Sequence, residues 1–228
     1  MIQFVLMDIE GTTTSIAFVH EVLFPYATKH LSNFIQEHAH DALVQKELEV
    51  VKATVLAETD QSINNQAAVE QLKAWIKADR KHPALKSLQG YLWKKGYEQG
   101  EYQGHIYEDV VPVLEAWQSK GVQMGIYSSG SVGAQKLLFG YSDKGDLRPF
   151  LSAYFDTKIG HKREVESYLR IRKELSVPAD EILFLSDVAE ELDAAKVAGF
   201  QVYQLVRPGT EASDRHPFVA SFADLKLF

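Results

Sequence analysis

The first uninterrupted apolar run of the chain is Phe4-Val5-Leu6-Met7, and it stops at Asp8-Ile9-Glu10-Gly11 followed by three threonines. A short continuous run of this kind predicts a strand buried on both faces of a parallel sheet. Further strands are predicted at Val122–Tyr127, Ala153–Phe155, Ile182–Leu185 and Phe200–Val206. Helical spacing fills the gaps between them. Val110–Trp117 reads as a helix broken by Gly121, with others at Gln135–Phe139, Glu164–Leu175 and Glu190–Ala198, the last closed by Gly199. Strands and helices alternating at this length predict an α/β fold with a doubly wound parallel sheet.

Between Phe18 and about Tyr97 the period is helical and no strand intervenes. Val19, Val22 and Leu23 lead to Leu31, Phe34 and Ile35, with Pro25 interrupting. A second stripe runs through Leu43, Leu48, Val51, Val55 and Leu56, and a third through Val69, Leu72, Trp75 and Ile76. Pro83 starts a fourth, carrying Leu85, Leu88, Leu92 and Trp93. Such stripes signify helix packing before they signify a ligand box. The first strand must pair with strands more than a hundred residues later, so this block is an insertion.

Composition narrows the classes. With 46% hydrophobic residues the chain can bury a sizeable core, and a formal net charge of -7 argues against nucleic acid or an anionic membrane as partner. There are no cysteines, which removes disulfides and thiolate zinc sites. No apolar run approaches the ~20 residues of a membrane helix, and no signal peptide is visible. A soluble, cytoplasmic, monomeric protein is expected.

The candidate chemistry lies where strands end. Asp8 and Glu10 alternate on an extended segment and so face one pocket, at the sheet edge where open α/β folds bind ligands. Two carboxylates ~4 Å apart repel by roughly 4 kcal/mol at an effective dielectric near 20, so a divalent cation or a shared proton is implied. Ser128-Ser129 stands at a predicted strand end and helix start, a ready anion site. Lys162 follows Gly160-His161, and Asp187 ends another strand ahead of Glu190 and Glu191. Each has a bland reading: a turn, a solvated cation, an N-cap, a helix-dipole pair. Together they are the parts of phosphoryl transfer, namely a carboxylate nucleophile, acidic groups for Mg²⁺, and a hydroxyl and a lysine for phosphate oxygens.

Rival motifs fail. Gly140–Asp146 has Walker-like glycine spacing but an aspartate in place of the lysine, and Gly130-Ser131-Val132-Gly133 lacks the dinucleotide glycines. No nucleophile elbow is present. A non-catalytic scaffold binding a phosphorylated ligand, and a generic capped phosphomonoesterase, remain alternatives.

These residues resemble the haloacid dehalogenase superfamily: Asp8-Ile9-Glu10-Gly11-Thr12 its first motif, Ser128 its second, Lys162 its third, and Asp187 with the acidic pair its fourth. Glutamate at position 10, where aspartate is usual, resembles one branch, the enolase-phosphatases or acireductone synthases. So do Tyr127–Val132, Gln135–Gly140, Gly145-Asp146-Leu147, Phe155-Asp156-Thr157 and Leu88-Gln89-Gly90. The resemblance implies a Rossmann-like core over residues 1–16 and 105–228, with a helical cap over residues 17–104. It implies one Mg²⁺ and conversion of 2,3-diketo-5-methylthiopentyl 1-phosphate to the acireductone of methionine salvage. By the same resemblance Asp8 is nucleophile and metal ligand. Glu10 is metal ligand and acid/base, Ser128, Ser129 and Lys162 bind phosphate, Lys162 is also catalytic, and Asp187 is a metal ligand. The cap is expected to close over the methylthio tail, with Phe18, Phe24, Tyr26 and Trp93 as candidate walls.

Overall fold

The computed structural model describes residues 1–226. β1 (Phe4–Met7) leads through a tight turn to a single helical turn, α1 (Ile16–Phe18), which widens into a π-helical segment, Val19–Leu23. Four helices follow: α2 (Phe24–Glu37), α3 (Ala42–Thr59), α4 (Asn65–Lys77) and α5 (Pro83–Glu98). The chain then alternates as α6 (Val110–Ser119), β2 (Gln123–Tyr127), α7 (Val132–Gly140), β3 (Ala153–Phe155), α8 (Val165–Leu175), β4 (Ile182–Ser186), α9 (Ala189–Val197), β5 (Gln201–Leu205) and β6 (Phe218–Val219). It divides into two compact units, one made of Met1–Phe18 with the residues from Gln103 onward, the other of Val19–Tyr102.

The helical unit has its own core, to which α2 gives Leu31 and Phe34, α3 Leu48 and Val51, α4 Leu72 and Trp75, and α5 Leu85 and Leu88. Its helices start where side chains accept orphan amides. Asp41 takes Leu43 N–H at 2.8 Å, Asn64 takes Ala67 N–H at 2.9 Å, and His82 takes Ala84 N–H at 3.2 Å. Pro25 and Pro83 sit in first turns, where a missing N–H does no harm. The α3 stripe is narrower than its apolar residues suggest. Val44, Leu48, Val51 and Val55 follow one helical face, whereas Leu43 and Leu56, each one position off it, are 51% and 46% exposed. Three of the suggested pocket walls make contacts inside this unit. Phe24 packs on its core, Tyr26 stacks on His30 with ring centres 4.3 Å apart, and Trp93 Nε1 donates to Leu23 O at 3.0 Å.

The other unit is an α/β sheet in the order β3-β2-β1-β4-β5-β6, with every pairing parallel. β1 is central, and its four apolar side chains are at most 1% exposed. At ~1.5–3 kcal/mol for each large apolar side chain buried, this strand is a main source of core stability. Phe4 and Leu6 alternate onto one face, against Phe155, Tyr168, Phe184, Leu192 and Phe200. β6, two residues long, is too short to show in the hydrophobic pattern.

Register places the chemistry. Met7 pairs with Ile126 of β2 on one side and Leu185 of β4 on the other. Asp8, Ser128 and Asp187 therefore leave the sheet at one edge, where the connections from β1's two neighbours diverge.

Candidate active site

Asp8 is the first residue past β1, and its amide donates to Leu185 O at 2.9 Å, one rung beyond the strand. The chain then folds on itself. The amides of Thr12, Thr13 and Thr14 all point at Ile9 O, at 3.2, 2.9 and 2.9 Å, and Gly11 N–H donates to Thr14 O at 2.8 Å. Thr13 Oγ1 donates back to Asp8 O at 3.1 Å. The three threonine side chains are wholly buried, so the turn carrying Asp8 and half-buried Glu10 is set in the fold. Gly11 is required twice over. Its φ is +71°, and an added Cβ would lie 2.3 Å from Asp187 Oδ2. The Asp187 carboxylate thus rests directly on the turn.

Lys162 is buried, with Nζ 2.6 Å from Asp8 Oδ1 and 2.5 Å from Glu191 Oε2. Burial alone would push this ammonium down, but the Asp8 and Glu191 carboxylates outweigh it and hold it above the usual lysine value. The loop delivering it is braced at three carbonyls. Tyr127 OH donates to Gly160 O at 3.0 Å, Ser167 Oγ to His161 O at 2.8 Å, and Tyr168 OH to Lys162 O at 2.6 Å. Glu191 is further fixed by Ser186 Oγ, at 2.9 Å. Its own acidity is weakened, first by burial and then by the Asp8 charge. Of the acidic pair on α9, Glu191 turns inward, while exposed Glu190 pairs with Arg215 at 3.4 Å.

On the β2 side, Ser128 is buried and Ser129 half-buried. Ser128 N–H donates to Phe155 O at 3.2 Å, and its Oγ accepts Gly130 N–H at 3.1 Å. Gln135, from α7, ties this loop to β3 by donating to Gly130 O and Phe155 O, both at 2.8 Å. Buried Asp156 accepts Val132 N–H at 3.2 Å and Lys158 N–H at 2.9 Å, bracing the start of α7. The Lys162 ammonium lies 5.9 Å from the ring of Tyr127, the neighbour of Ser128.

Asp187 is not a helix cap; that position belongs to Val188. Gln204 Nε2 holds its carbonyl at 2.8 Å, while Oδ1 is buried with no hydrogen-bond partner. Burial first, and the Asp8 charge second, push its pKa up to about 7. An orphaned, desolvated carboxylate oxygen beside a second carboxylate fits a hard cation. Among the described residues no three His, Cys, Asp or Glu side chains form a ready cage. Mg²⁺ suits such a site, because it keeps waters and binds through one or two carboxylates plus substrate phosphate.

A folded-state pKa above the unfolded value stabilises at low pH and loses that stability as pH rises through it. For Asp187 that window runs from its ordinary 3.8 to about 7. Metal-free protein should lose this contribution to its melting temperature across that window. Mg²⁺ should raise the melting temperature far more above the window than below it. Calorimetry on Asp187→Asn should show both pH dependences flattened; an unchanged profile would contradict the assignment.

The fold thus gathers Asp8, Lys162 and Asp187 at one edge, with Glu10 on the turn and Ser128-Ser129 ending the adjacent strand. Residues 2–199 match the family model of haloacid dehalogenase-like hydrolases, and the chain belongs to that class. It is 52% identical over 222 residues to Enolase-phosphatase E1 of Picosynechococcus sp., covering 97% of both chains. Against Enolase-phosphatase E1 of Serratia proteamaculans it is 49% identical, covering 100% of this chain and 98% of that one. The crystal structure of the UTR4 protein of Saccharomyces cerevisiae superposes with a TM-score of 0.80 at 35% identity, covering 99% of this chain and 100% of that one. Within the hydrolase class the chain is a member of the enolase-phosphatase family.

Proposed function

We propose that the chain converts 2,3-diketo-5-methylthiopentyl 1-phosphate to 1,2-dihydroxy-3-keto-5-methylthiopentene, by enolisation and then dephosphorylation through a phosphorylated Asp8. The observation that carries this reading is the Lys162 ammonium, buried at the sheet edge and 2.6 Å from Asp8 Oδ1. One Asp8 oxygen is engaged there, and the other is left for attack. Full-length similarity to enolase-phosphatases supports the substrate.

The carbon bearing the phosphate lies next to a carbonyl, so its C–H is acidic; Glu10 is the proposed base that removes the proton and returns it to that carbonyl oxygen, which becomes the enol hydroxyl. In the second step an Asp8 oxygen bonds to phosphorus and the ester P–O bond breaks. The leaving enol oxygen takes a proton, and water then cleaves the acyl phosphate and restores Asp8. Lys162, with the Ser128 and Ser129 groups, offsets charge on the phosphoryl oxygens. Asp8, Asp187 and Glu10 would hold Mg²⁺, which would supply Lewis-acid stabilisation of phosphate and enolate oxygens. The helical unit Val19–Tyr102 is the proposed cap, and a monomer in the cytoplasm, acting on a free small molecule, is the proposed setting.

Incubation with the diketo phosphate and Mg²⁺, followed for enol absorbance and phosphate together, tests this directly. Both signals should rise, and both should stop on adding EDTA. Phosphate release from many phosphomonoesters with no enol signal would mean a generic phosphatase. No release at all would mean a binding scaffold.

A further inference from the structure

Arg207 lies just beyond β5, is 7% exposed, and reaches a turn 195 residues earlier in the chain. Its Nε and one terminal nitrogen lie 3.3 and 3.2 Å from Thr12 O. The other terminal nitrogen donates to Asp109 Oδ2 at 2.8 Å and to Ala220 O at 3.1 Å. The guanidinium carbon sits 4.2 Å from the ring centre of Tyr107 and 5.6 Å from that of Phe222. Asp109 is itself immobilised, because it also accepts Ser221 Oγ at 2.8 Å and Phe222 N–H at 2.7 Å. A planar fork held this way has one available orientation.

We propose that Arg207 is a positioning residue for the phosphoryl-transfer site, fixing the Thr12 carbonyl and thereby the turn that carries Asp8 and Glu10. The turn's carbonyls need separate anchors. Ile9 O collects three amides, Thr13 O takes Tyr107 N–H at 3.1 Å, and Thr14 O takes Gly11 N–H. Thr12 O points into the fold, where its residue is wholly buried, and its anchor is the arginine. Thr12 is next to Gly11, on which the Asp187 carboxylate rests with no side chain between. A shift of Thr12 therefore alters Gly11 against Asp187 and the path of Glu10 together. The competing account is purely architectural, with Arg207 only tying residues 220–222 to the start of α6.

The inference rests on the proposed activity, so the test uses two substrates, the diketo phosphate and p-nitrophenyl phosphate. If wild-type protein turns over neither, the functional reading fails, whatever Arg207 does. Given wild-type turnover, Arg207→Lys keeps the charge but cannot hold Thr12 and Asp109 together. It should lower kcat at least ~10-fold with KM little changed, and Arg207→Ala should lower it on the order of 10²-fold, the scale of a 1 Å misplacement. Ethylguanidinium should restore part of kcat to Arg207→Ala. Ser221→Ala loosens Asp109 but leaves both arginine contacts to Thr12 O in place, so it should lower the melting temperature and reduce kcat far less than either arginine variant. Wild-type kcat in Arg207→Lys, or a kcat loss in Ser221→Ala equal to that of the arginine variants, would overturn the proposal.

Discussion

Lys162→Met should end phosphate release and destabilise the fold by about 3–5 kcal/mol, the range seen when one member of a buried ion group is removed. The lysine side chain is 6% exposed, and those of Asp8 and Glu191 are 7% and 10% exposed. Without the cation two carboxylates face each other in a dry site, next to a third at Asp187. Nothing then orients the Asp8 carboxylate or offsets the charge of an incoming phosphoryl group. Urea unfolding and a phosphate assay read the two effects separately. A surface lysine would change stability by less than about 0.5 kcal/mol, so an unchanged midpoint would show that the triad is not the centre of the site.

Asp8→Asn should reduce phosphate release by a factor on the order of 10⁴–10⁶, the scale of losing a covalent nucleophile. The fold should survive, because Lys162 keeps its pair with Glu191. If both steps share one pocket and one cation, enol absorbance should fall as well. Enol formation persisting while phosphate release vanishes would assign the two steps to separate groups.

The parts of the candidate site drew notice in the chain because they sit at element boundaries. The run Phe4–Met7 marked the central strand, and carboxylates just past its end had few structural reasons to be there. The pairing of Lys162 with Asp8 joins residues far apart in sequence, because Lys162 lies on the loop after β3, two strands away from β1 in the sheet, and no local pattern says that this loop reaches back to Asp8. Glu190 and Glu191 differ by about 100° around a helix. No local pattern says which turns inward until α9 packs on β4 and β5. Gln135 and Arg207 gave no chemical signal alone, since what they hold is backbone. Leu43 and Leu56 were apolar enough to join a stripe but lie off the face that packs.

The most direct measurement is mass analysis of the Asp8 peptide from protein acid-quenched while turning over substrate with Mg²⁺. A lysine gripping a carboxylate beside an unsatisfied acid predicts one phosphoryl group on that peptide, at Asp8, and none in Asp8→Asn. An unmodified peptide, quenched at a time when phosphate release is in progress, would contradict the covalent account.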